Sequence, residues 1–315
     1  MRALLADIGG TNARFALLEG GRVGPPLILP VADFTTAEAA IAAAITALSP
    51  ARAIDRAVLA IAGPVTAEPV RLTNAAWELR AAALAARFGL RSLRLVNDFE
   101  ALAHALPHLA PEDLHAIGGG QAAPGAPMLV LGPGTGLGCA ALVPSGAPGG
   151  AVVVATEAGH AGLAPTDAAQ DALLAALRRR CGRAGAEEAL SGRGLAMLHA
   201  ILAEGHAVPE RDAAAVLAAA GHCPIAAAAI GHFLDLLAGF AGDMALAWGA
   251  RGGVFLGGGI LPRLLGRMDA QRFRHRFEDK APMRDWLAAV PLRIIIHPAP
   301  AFPGIAALAI LEAVA

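Results

Sequence analysis

Short apolar runs that end at turn or polar residues recur along this chain, and they predict the strands of an α/β fold. Three of them lie in the first third of the sequence: residues 3–6 before Asp7, 57–62 before Gly63-Pro64, and 93–96 before Asn97-Asp98. Such runs are typical of buried strands. Since ligands gather at the carboxyl ends of strands in open α/β sheets, Asp7, Asn97 and Asp98 are candidate site residues.

Glycine-rich turns follow three of the apolar runs. The first turn, Gly9-Gly10-Thr11, leads into a returning strand over 14–18, which predicts a hairpin. A second strand over 128–131 leads into the glycine-rich segment 132–138, and 140–143 returns. A third strand, 254–256, precedes Gly257-Gly258-Gly259. Three strand–glycine units in one chain predict a candidate nucleotide cradle, because glycine lets backbone N–H groups approach phosphate closely.

Helical patterns fill most of the remaining chain. The sequence Thr35-Thr36-Ala37-Glu38 is a capping-box signal that opens an alanine-rich helix ending before Ser49-Pro50. Further helices are predicted over 168–180, 225–248 and 305–314, and a strand over 293–297. The alternation of strands and helices indicates the α/β class.

Length and composition limit the function classes. With 315 residues, and about 150 residues in a typical domain, the chain predicts two domains, and the Pro-, Gly- and Ala-rich stretch 109–127 is a plausible boundary. A net charge of −1 shows no electrostatic footprint for nucleic acid or for an anionic membrane.

A mean hydropathy of +0.55 does not make this a membrane protein, because alanine inflates the figure. The most apolar stretch, 233–248, carries Asp235 and Asp243, and a spanning helix needs about 18 or more apolar residues with few charges. Asp7 comes too early for a signal peptide. Three cysteines without a CxxC pair predict neither a disulfide framework nor a zinc cluster, so we expect a cytoplasmic protein.

The common nucleotide motifs are absent from the glycine-rich segments. No GxxxxGK[ST] sequence occurs, and residues 132–138 have glycine at every second position rather than in a GxGxxG pattern. Each segment alone is more simply a tight turn. Together, with Asp7 directly ahead of the first turn, they favour a phosphate site in which Asp7 orders Mg²⁺ through its water ligands.

Several motifs resemble those of bacterial glucokinases, in the same order and over almost the whole chain. The sequence Asp7-Ile8-Gly9-Gly10-Thr11-Asn12-Ala13-Arg14 resembles their first phosphate motif, Leu131-Gly132-Pro133-Gly134-Thr135-Gly136-Leu137-Gly138 their second, and Leu256-Gly257-Gly258-Gly259-Ile260 their adenosine motif. The remaining matches are Thr73-Asn74-Ala75-Ala76-Trp77, Asn97-Asp98-Phe99, Glu157-Ala158-Gly159-His160, Glu187-Glu188-Ala189-Leu190-Ser191-Gly192 and Phe277-Glu278-Asp279-Lys280.

The resemblance implies a two-domain hexokinase/actin-like (ribonuclease H-like) ATPase fold with a central interdomain cleft. The small α/β domain would cover 1–108 and be completed by the C-terminal helix 299–315, and the large α/β domain would cover 109–298. It also implies ATP and Mg²⁺ as cofactors, with the metal held mainly by the ATP phosphates and water. A homodimer is expected.

The family's site residues transfer to matching positions. Asn97, Asp98, Glu157, His160 and Glu187 would bind glucose, with Asp98 as the general base. The nucleotide would be bound by Asp7, Ile8, Gly9, Gly10, Thr11, Gly132, Gly134, Thr135, Gly136, Gly257, Gly258 and Gly259. Without the resemblance, Asp98 is more simply a helix N-cap and Glu187 a solvated surface acid. Glu188 competes with Glu187 as the sugar contact.

Glu157 and His160 suit a polyol substrate. At positions i and i+3 they point the same way if the segment is a helical turn. A carboxylate accepts hydrogen bonds from neighbouring hydroxyls, and a neutral imidazole both donates and accepts. Sugar kinases of the ROK family also carry an ExGH motif whose His helps bind zinc beside a cysteine cluster. No such cluster follows His160, so zinc is disfavoured.

The function expected from these residues is ATP-dependent phosphorylation of glucose to glucose 6-phosphate. A kinase for another hexose or for an N-acetylated hexosamine is the alternative within the same class. A sugar-sensing regulator without catalysis and a structural actin-like ATPase are less favoured. The regulator would need an N-terminal DNA-binding segment, and the ATPase has no use for Asn97-Asp98 together with the ExGH motif.

Overall fold

The computed structural model describes residues 2–48, 53–72, 76–146 and 150–314. Contacts within the chain divide it into two compact units, Met1–Ala110 with His297–Ala315, and Pro111–Ile296. We call them unit 1 and unit 2 and describe each by itself. The domain boundaries expected above, at 108 and 298, stay a prediction.

The strands, in chain order, are β1 (Arg2–Ile8), β2 (Asn12–Glu19), β3 (Arg22–Val23), β4 (Leu27–Pro30), β5 (Arg56–Ile61), β6 (Val70–Arg71), β7 (Glu78–Leu79), β8 (Ser92–Asn97), β9 (Leu114–Ala116), β10 (Met128–Pro133), β11 (Leu137–Pro144), β12 (Ala151–Thr156), β13 (Gly253–Leu256) and β14 (Leu292–Ile295). The helices are α1 (Ala37–Leu48), α2 (Ala81–Phe88), α3 (Asp98–Ala105), α4 (Ala168–Cys181), α5 (Ala186–Ala189), α6 (Gly192–Leu202), α7 (Ala213–Ala219), α8 (Pro224–Trp248), α9 (Leu261–Leu264), α10 (Ala270–Glu278), α11 (Arg284–Ala288) and α12 (Ala301–Val314).

The main sheet of unit 1 has the order β3-β2-β1-β5-β8, with β4 paired to β2. Strands β1, β5 and β8 are parallel, and β2 returns antiparallel to β1. The strands predicted over 3–6, 14–18, 57–62 and 93–96 are thereby confirmed. In the pairing register Ile8 lies beside Ile61, and Ile61 beside Asn97. The carboxyl ends of the three parallel strands therefore meet at one edge, as their apolar runs predict.

Strand β1 is buried on both faces, which explains its continuous apolar run. Leu4 and Ile8 pack into one core cluster with α1, while Leu5 packs into another with α12. On the second face α12 approaches α3 so closely that a Cβ on Gly304 would lie 1.9 Å from the carbonyl oxygen of Ala101. This packing supports the first turn of α3, where Asp98 lies.

The capping box predicted for α1 is wrong. Thr36, not Thr35, caps the helix, since its Oγ1 accepts a hydrogen bond from the Ala39 N–H at 3.2 Å. Glu38 forms an ion pair with Arg87 instead of returning to the cap. The predicted stop at Ser49-Pro50 and the motif residues Thr73-Asn74-Ala75 lie outside the described residues.

The sheet of unit 2 has the order β12-β11-β10-β13-β14-β9. Strands β10, β13 and β14 are parallel, and β11, β12 and β9 run antiparallel to their neighbours. The predicted hairpin over 128–143 and the strands over 254–256 and 293–297 are confirmed. The edge strands β9 and β12 were not predicted. β9 is only three residues long, but the valine run of β12 before Thr156 is a strand signal.

Helix α8 is long and apolar enough to cross a membrane by length and composition, yet 67% of its most apolar window is buried within the protein. The charged residue Asp235 lies in this helix, and arginine side chains compensate for its charge. Its two oxygens accept hydrogen bonds from Arg272 at 2.8 and 2.6 Å, and Arg276 lies 3.5 Å away. A paired and hydrogen-bonded carboxylate is tolerated in a core, so α8 has the character of a core helix.

Candidate active site

The first glycine turn joins β1 to β2 and presents Asp7 at the end of β1. The turn is closed by a hydrogen bond from the Gly9 N–H to the Asn12 carbonyl at 3.0 Å. Asp7 lies directly opposite Arg14 in the register, and Arg14 Nη1 donates to its carboxylate at 3.2 Å. Only 18% of the Asp7 side chain is exposed. Burial raises the pKa of Asp7, while Arg14 acts to lower it.

Asn97 ends β8 and caps α3. Its side-chain oxygen accepts hydrogen bonds from the Phe99 and Glu100 N–H groups at 2.9 and 3.2 Å. Its amide nitrogen donates to the Gly63 carbonyl at 2.9 Å, which ties the end of β8 to the end of β5. The helix cap considered for Asp98 thus belongs to Asn97. The Asn97 side chain also forms a hydrogen bond that acts on the neighbouring Asp98 carboxyl.

Asp98 is the first residue of α3 and is partly buried. Burial and the nearby charge of Asp7 raise its pKa to about 7, although hydrogen bonds from backbone N–H groups and from Asn97 oppose the rise. The Phe99 N–H donates to the Asp98 carboxylate at 3.0 Å. A general base works best with a pKa near the operating pH. The structure therefore gives Asp98 the acidity that a proton acceptor needs at neutral pH.

The second glycine turn, between β10 and β11, interlocks with the third. The Gly257 N–H donates to the Leu131 carbonyl at 2.9 Å. A Cβ on Gly132 would lie 2.2 Å from the Gly257 carbonyl oxygen, and a Cβ on Gly258 would lie 2.2 Å from that of Pro133. Gly258 also has a φ of +87°. Glycine is thus required here for backbone packing, and the predicted phosphate and adenosine segments of unit 2 are neighbours.

Glu157 follows β12, and its side chain lies beside that of His160. Residues Ala158–His160 form a 3-10 turn, with the His160 N–H donating to the Glu157 carbonyl at 3.0 Å. Glu157 Oε2 and His160 Nε2 are 3.9 Å apart, and the side chains are 72% and 59% exposed. The two residues therefore point the same way and are open to a ligand.

Gly159 explains the glycine of the ExGH motif. A Cβ at this position would lie 2.0 Å from the Leu137 carbonyl oxygen, so the 3-10 turn packs on the first residue of β11. The segment that follows pairs with the start of α5, since the Ala186 N–H donates to the Ala161 carbonyl at 2.8 Å. Glu157 and His160 are thereby held beside the second glycine turn and Glu187.

Glu187 is not a solvated surface acid. Its side chain is only 21% exposed, and Oε2 accepts a hydrogen bond from the Leu137 N–H at 2.9 Å. Its other oxygen, Oε1, lies 3.6 Å from Arg193 Nη2. The neighbouring Glu188 has a buried Oε2 with no hydrogen-bond partner among the described residues. The hydrogen bond from Leu137 places the Glu187 side chain beside the second glycine turn. The contact of Glu187 with the sugar stays a prediction.

Arg193 was not predicted. It lies in the first turn of α6, where the Gly192 N–H donates to the Gly134 carbonyl at 2.9 Å. The sequence does carry a signal for this position. Ser191 is a typical N-cap, so it predicts that a helix starts there and that Arg193 lies in its first turn.

No group of three or more His, Cys, Asp or Glu side chains that could hold a metal occurs within the described ranges. That finding is compatible with Mg²⁺ as it is used in phosphoryl transfer, where one or two carboxylates, substrate phosphates and water complete the coordination. Asp7, a carboxylate beside a glycine turn, fits such a role.

Comparison with known proteins decides the family. The glucokinase family model matches residues 4–312. The chain belongs to the glucokinase family. It is 39% identical over 310 residues to a curated glucokinase of Paramagnetospirillum magneticum, covering 97% of this chain and 96% of the relative. It is 41% identical to a glucokinase of Caulobacter sp. (strain K31), covering 96% and 93% of the two chains.

Solved structures agree on the fold. A glucokinase from an Antarctic psychrotroph superposes with a TM-score of 0.85 at 35% identity, covering 99% of each chain. A ROK family glucokinase from Streptomyces griseus, solved with glucose and AMPPNP, shares the fold with a TM-score of 0.68 at 19% identity, covering 98% of this chain and 99% of the other. The predicted α/β sugar-kinase fold of the hexokinase/actin type is confirmed.

Proposed function

We propose that this protein catalyses the ATP-dependent phosphorylation of glucose to glucose 6-phosphate. Its membership of the glucokinase family over nearly the whole chain supports the reaction. The observation that carries the mechanism is Asp98, whose pKa of about 7 suits a proton acceptor, at the edge where β1, β5 and β8 end.

Asp98 acts on the attacking hydroxyl. Its carboxylate accepts the proton of the glucose 6-hydroxyl as that oxygen forms a bond to the γ-phosphorus, while the bond from this phosphorus to the departing ADP oxygen breaks. In such transfers most of the rate comes from positioning and from electrostatic stabilisation. The side-chain amide of Asn97, next to Asp98 in the chain, contacts a sugar oxygen and helps to orient the hydroxyl towards Asp98.

Glu157, His160 and Glu187 hold the other sugar hydroxyls. Carboxylates accept hydrogen bonds from hydroxyl groups, and neutral imidazole both donates and accepts. The open side chains of Glu157 and His160, 3.9 Å apart, can bind two neighbouring hydroxyls of one ring. A neutral polyol suits this pair better than an anionic substrate, which the carboxylates would repel.

The glycine turns hold the nucleotide. The phosphates lie against Ile8, Gly9, Gly10 and Thr11 of the first turn and against Gly132, Gly134, Thr135 and Gly136 of the second, and Gly257, Gly258 and Gly259 lie at the adenosine. The Gly9 and Gly134 N–H groups already donate to the Asn12 and Gly136 carbonyls, which shapes the two turns, so the N–H groups of Gly10, Thr11, Thr135 and Gly136 are the donors to phosphate. The interlocked backbones of the second and third turns support this division. Asp7 would hold Mg²⁺ through the metal's water ligands, and the metal would supply positive charge beside the ATP phosphates.

A coupled assay with Mg·ATP and a panel of sugars tests the proposal. We expect glucose to be phosphorylated at the 6-hydroxyl, and chelation of divalent metal to abolish turnover. A higher kcat/KM for another hexose or for an N-acetylated hexosamine would reassign the substrate. ATP hydrolysis that does not depend on sugar would favour the ATPase alternative. The homodimer and the cytoplasmic location stay predictions.

A further inference from the structure

Arg193 is an exposed cation at the second glycine turn. Its side chain is 82% exposed, although its backbone belongs to the first turn of α6. The residue before it, Gly192, donates its N–H to the Gly134 carbonyl at 2.9 Å. Its guanidinium lies 3.6 Å from Glu187, which in turn accepts the Leu137 N–H at 2.9 Å. Backbone and side chain therefore both place Arg193 at residues 134–137.

Neither the cap of α6 nor the ion pair with Glu187 requires an arginine at this position. The start of α6 is capped by Ser191, whose Oγ accepts the Gly194 N–H at 3.0 Å. The ion pair with Glu187 is long and lies at an exposed side chain, and such pairs contribute little to stability. Arg193 is thus held near the turn and keeps its donors open to a ligand.

The glycine segments lack a cation of their own. Residues 132–138 and 257–259 contain no Lys or Arg. At the first turn, Arg14 is already paired with Asp7 at 3.2 Å. Backbone N–H groups carry no full charge, so they would not neutralise the negative charge that Mg²⁺ leaves on a bound polyphosphate. A guanidinium matches phosphate oxygens with two parallel N–H donors, which makes arginine well suited to supply the missing charge.

We propose that Arg193 binds the phosphates of the nucleotide. Two N–H groups of its guanidinium donate to non-bridging phosphate oxygens beside the second glycine turn, and Glu187 keeps the side chain near the turn when no nucleotide is bound. The inference rests on the proposed function, because it takes residues 132–138 as a phosphate site.

Nucleotide affinity tests the inference directly. Calorimetry should compare ADP with adenosine on the wild type, Arg193→Gln and Arg193→Lys. Hydrogen bonds between charged groups are strong, so we expect Arg193→Gln to weaken ADP binding about 10- to 100-fold. Adenosine affinity should not change, because adenosine has no phosphate. Lysine keeps the charge without the planar fork, and it should restore part of the ADP affinity.

The control is Arg179→Gln, the same charge change on an exposed residue of α4. It should leave ADP binding as in the wild type. An unchanged ADP affinity in Arg193→Gln would overturn the inference, and so would an equal loss for adenosine, which would indicate local damage. A rise in the KM for glucose alone would show that Arg193 acts only through Glu187. Failure of the proposed function would appear separately, as a wild type that does not phosphorylate glucose.

Discussion

Asp98 of unit 1 and Glu157 of unit 2 are candidate acidic residues in opposite environments. In unit 1, Asp7 is mostly buried, and burial together with the Asp7 charge raises the pKa of Asp98 to about 7. In unit 2, the Glu157 side chain is 72% exposed, beside His160. A desolvated carboxylate gains affinity for a proton, whereas an exposed one offers its oxygens to a ligand as hydrogen-bond acceptors. The difference fits the roles proposed for the two residues, a proton acceptor for Asp98 and a sugar contact for Glu157.

The first and the second glycine turn also differ in how closely other backbone atoms approach their glycines. A Cβ on Gly9, in unit 1, would lie 3.4 Å from the Asn12 carbonyl oxygen, which is ordinary contact. A Cβ on Gly132, in unit 2, would lie 2.2 Å from that of Gly257, which is a clash. The turn of unit 2 is thus built by packing between distant segments, and the turn of unit 1 by its own hairpin.

The largest effect is expected from Asp98→Asn. The amide keeps the size of the carboxylate and one acceptor oxygen, so glucose can still bind, but it cannot take the hydroxyl proton. Removal of a general base typically costs about 10²- to 10⁴-fold, and the loss should appear in kcat. Steady-state kinetics, with glucose binding followed by calorimetry, measures both quantities.

Glu157→Gln is the matched control for that experiment. It is expected to raise the KM for glucose and to change sugar preference more than it slows the chemistry, because the role proposed for Glu157 is only to hold hydroxyls. If Asp98→Asn retained more than about a tenth of the wild-type kcat, the loss would be too small for a general base. The proposed division of roles, with Asp98 as the base and Glu157 as a sugar contact, would then be wrong.

The pH profile should follow the titration of Asp98. Because the base must be ionised, kcat/KM should fall about tenfold for each pH unit below about 7. Asp7→Asn removes a negative charge that raises the pKa of Asp98, so the acid limb should move to lower pH. The midpoint of the limb is the readout, and circular dichroism at each pH excludes unfolding as its cause. A midpoint that stays in place would show that Asp7 does not influence the base.

Glycine substitutions test the packing of the second turn. Gly132→Ala should lower the thermal midpoint by several degrees, since forcing a methyl group into a packed region typically costs about 1–3 kcal/mol. Gly134→Ala is the control, because its nearest neighbour, the Gly136 carbonyl oxygen, would be 4.0 Å away. Thermal unfolding and the KM for ATP should be measured for both. Equal midpoints would contradict the interlocked arrangement.

The smallest effect concerns stability. The pKa of Asp98 is higher in the folded protein than the ordinary value of 3.8, so the folded state binds this proton more tightly. Its contribution is therefore favourable below about pH 4 and is lost as the pH rises through about 7. Asp98→Asn should accordingly stabilise the protein at pH 8, by about 1–2 kcal/mol once solvent screening is allowed for.

Glu157→Gln should change stability by less than about 0.5 kcal/mol at either pH, as is usual for an exposed side chain. Chemical denaturation at pH 4 and pH 8 gives both comparisons. If Asp98→Asn were destabilising at pH 8, the folded state would not disfavour the ionised form of the wild-type Asp98 carboxyl.

Much of the fold could be predicted because its signals are local. The strands before Asp7, Gly63 and Asn97 are apolar runs bounded by turn residues, and the helix over 168–180 has a polar start and a glycine end. Edge strand β9 is too short to carry a pattern. The cap of α3, considered above only as the alternative role of Asp98, belongs to Asn97, and both residue types favour that position.

The sequence by itself determined which residues stand at strand ends and in glycine turns, because strand and turn propensities act over a few neighbouring residues. Only the tertiary structure determined the burial, the pKa shifts and the long-range contacts of those residues. The raised pKa of Asp98 depends on burial and on Asp7, 91 positions away in the chain (98 − 7). The pairing of Glu187 with Leu137, and the place of Arg193 beside them, depend on contacts between distant segments. Desolvation and charge coupling arise only when packing brings such groups together.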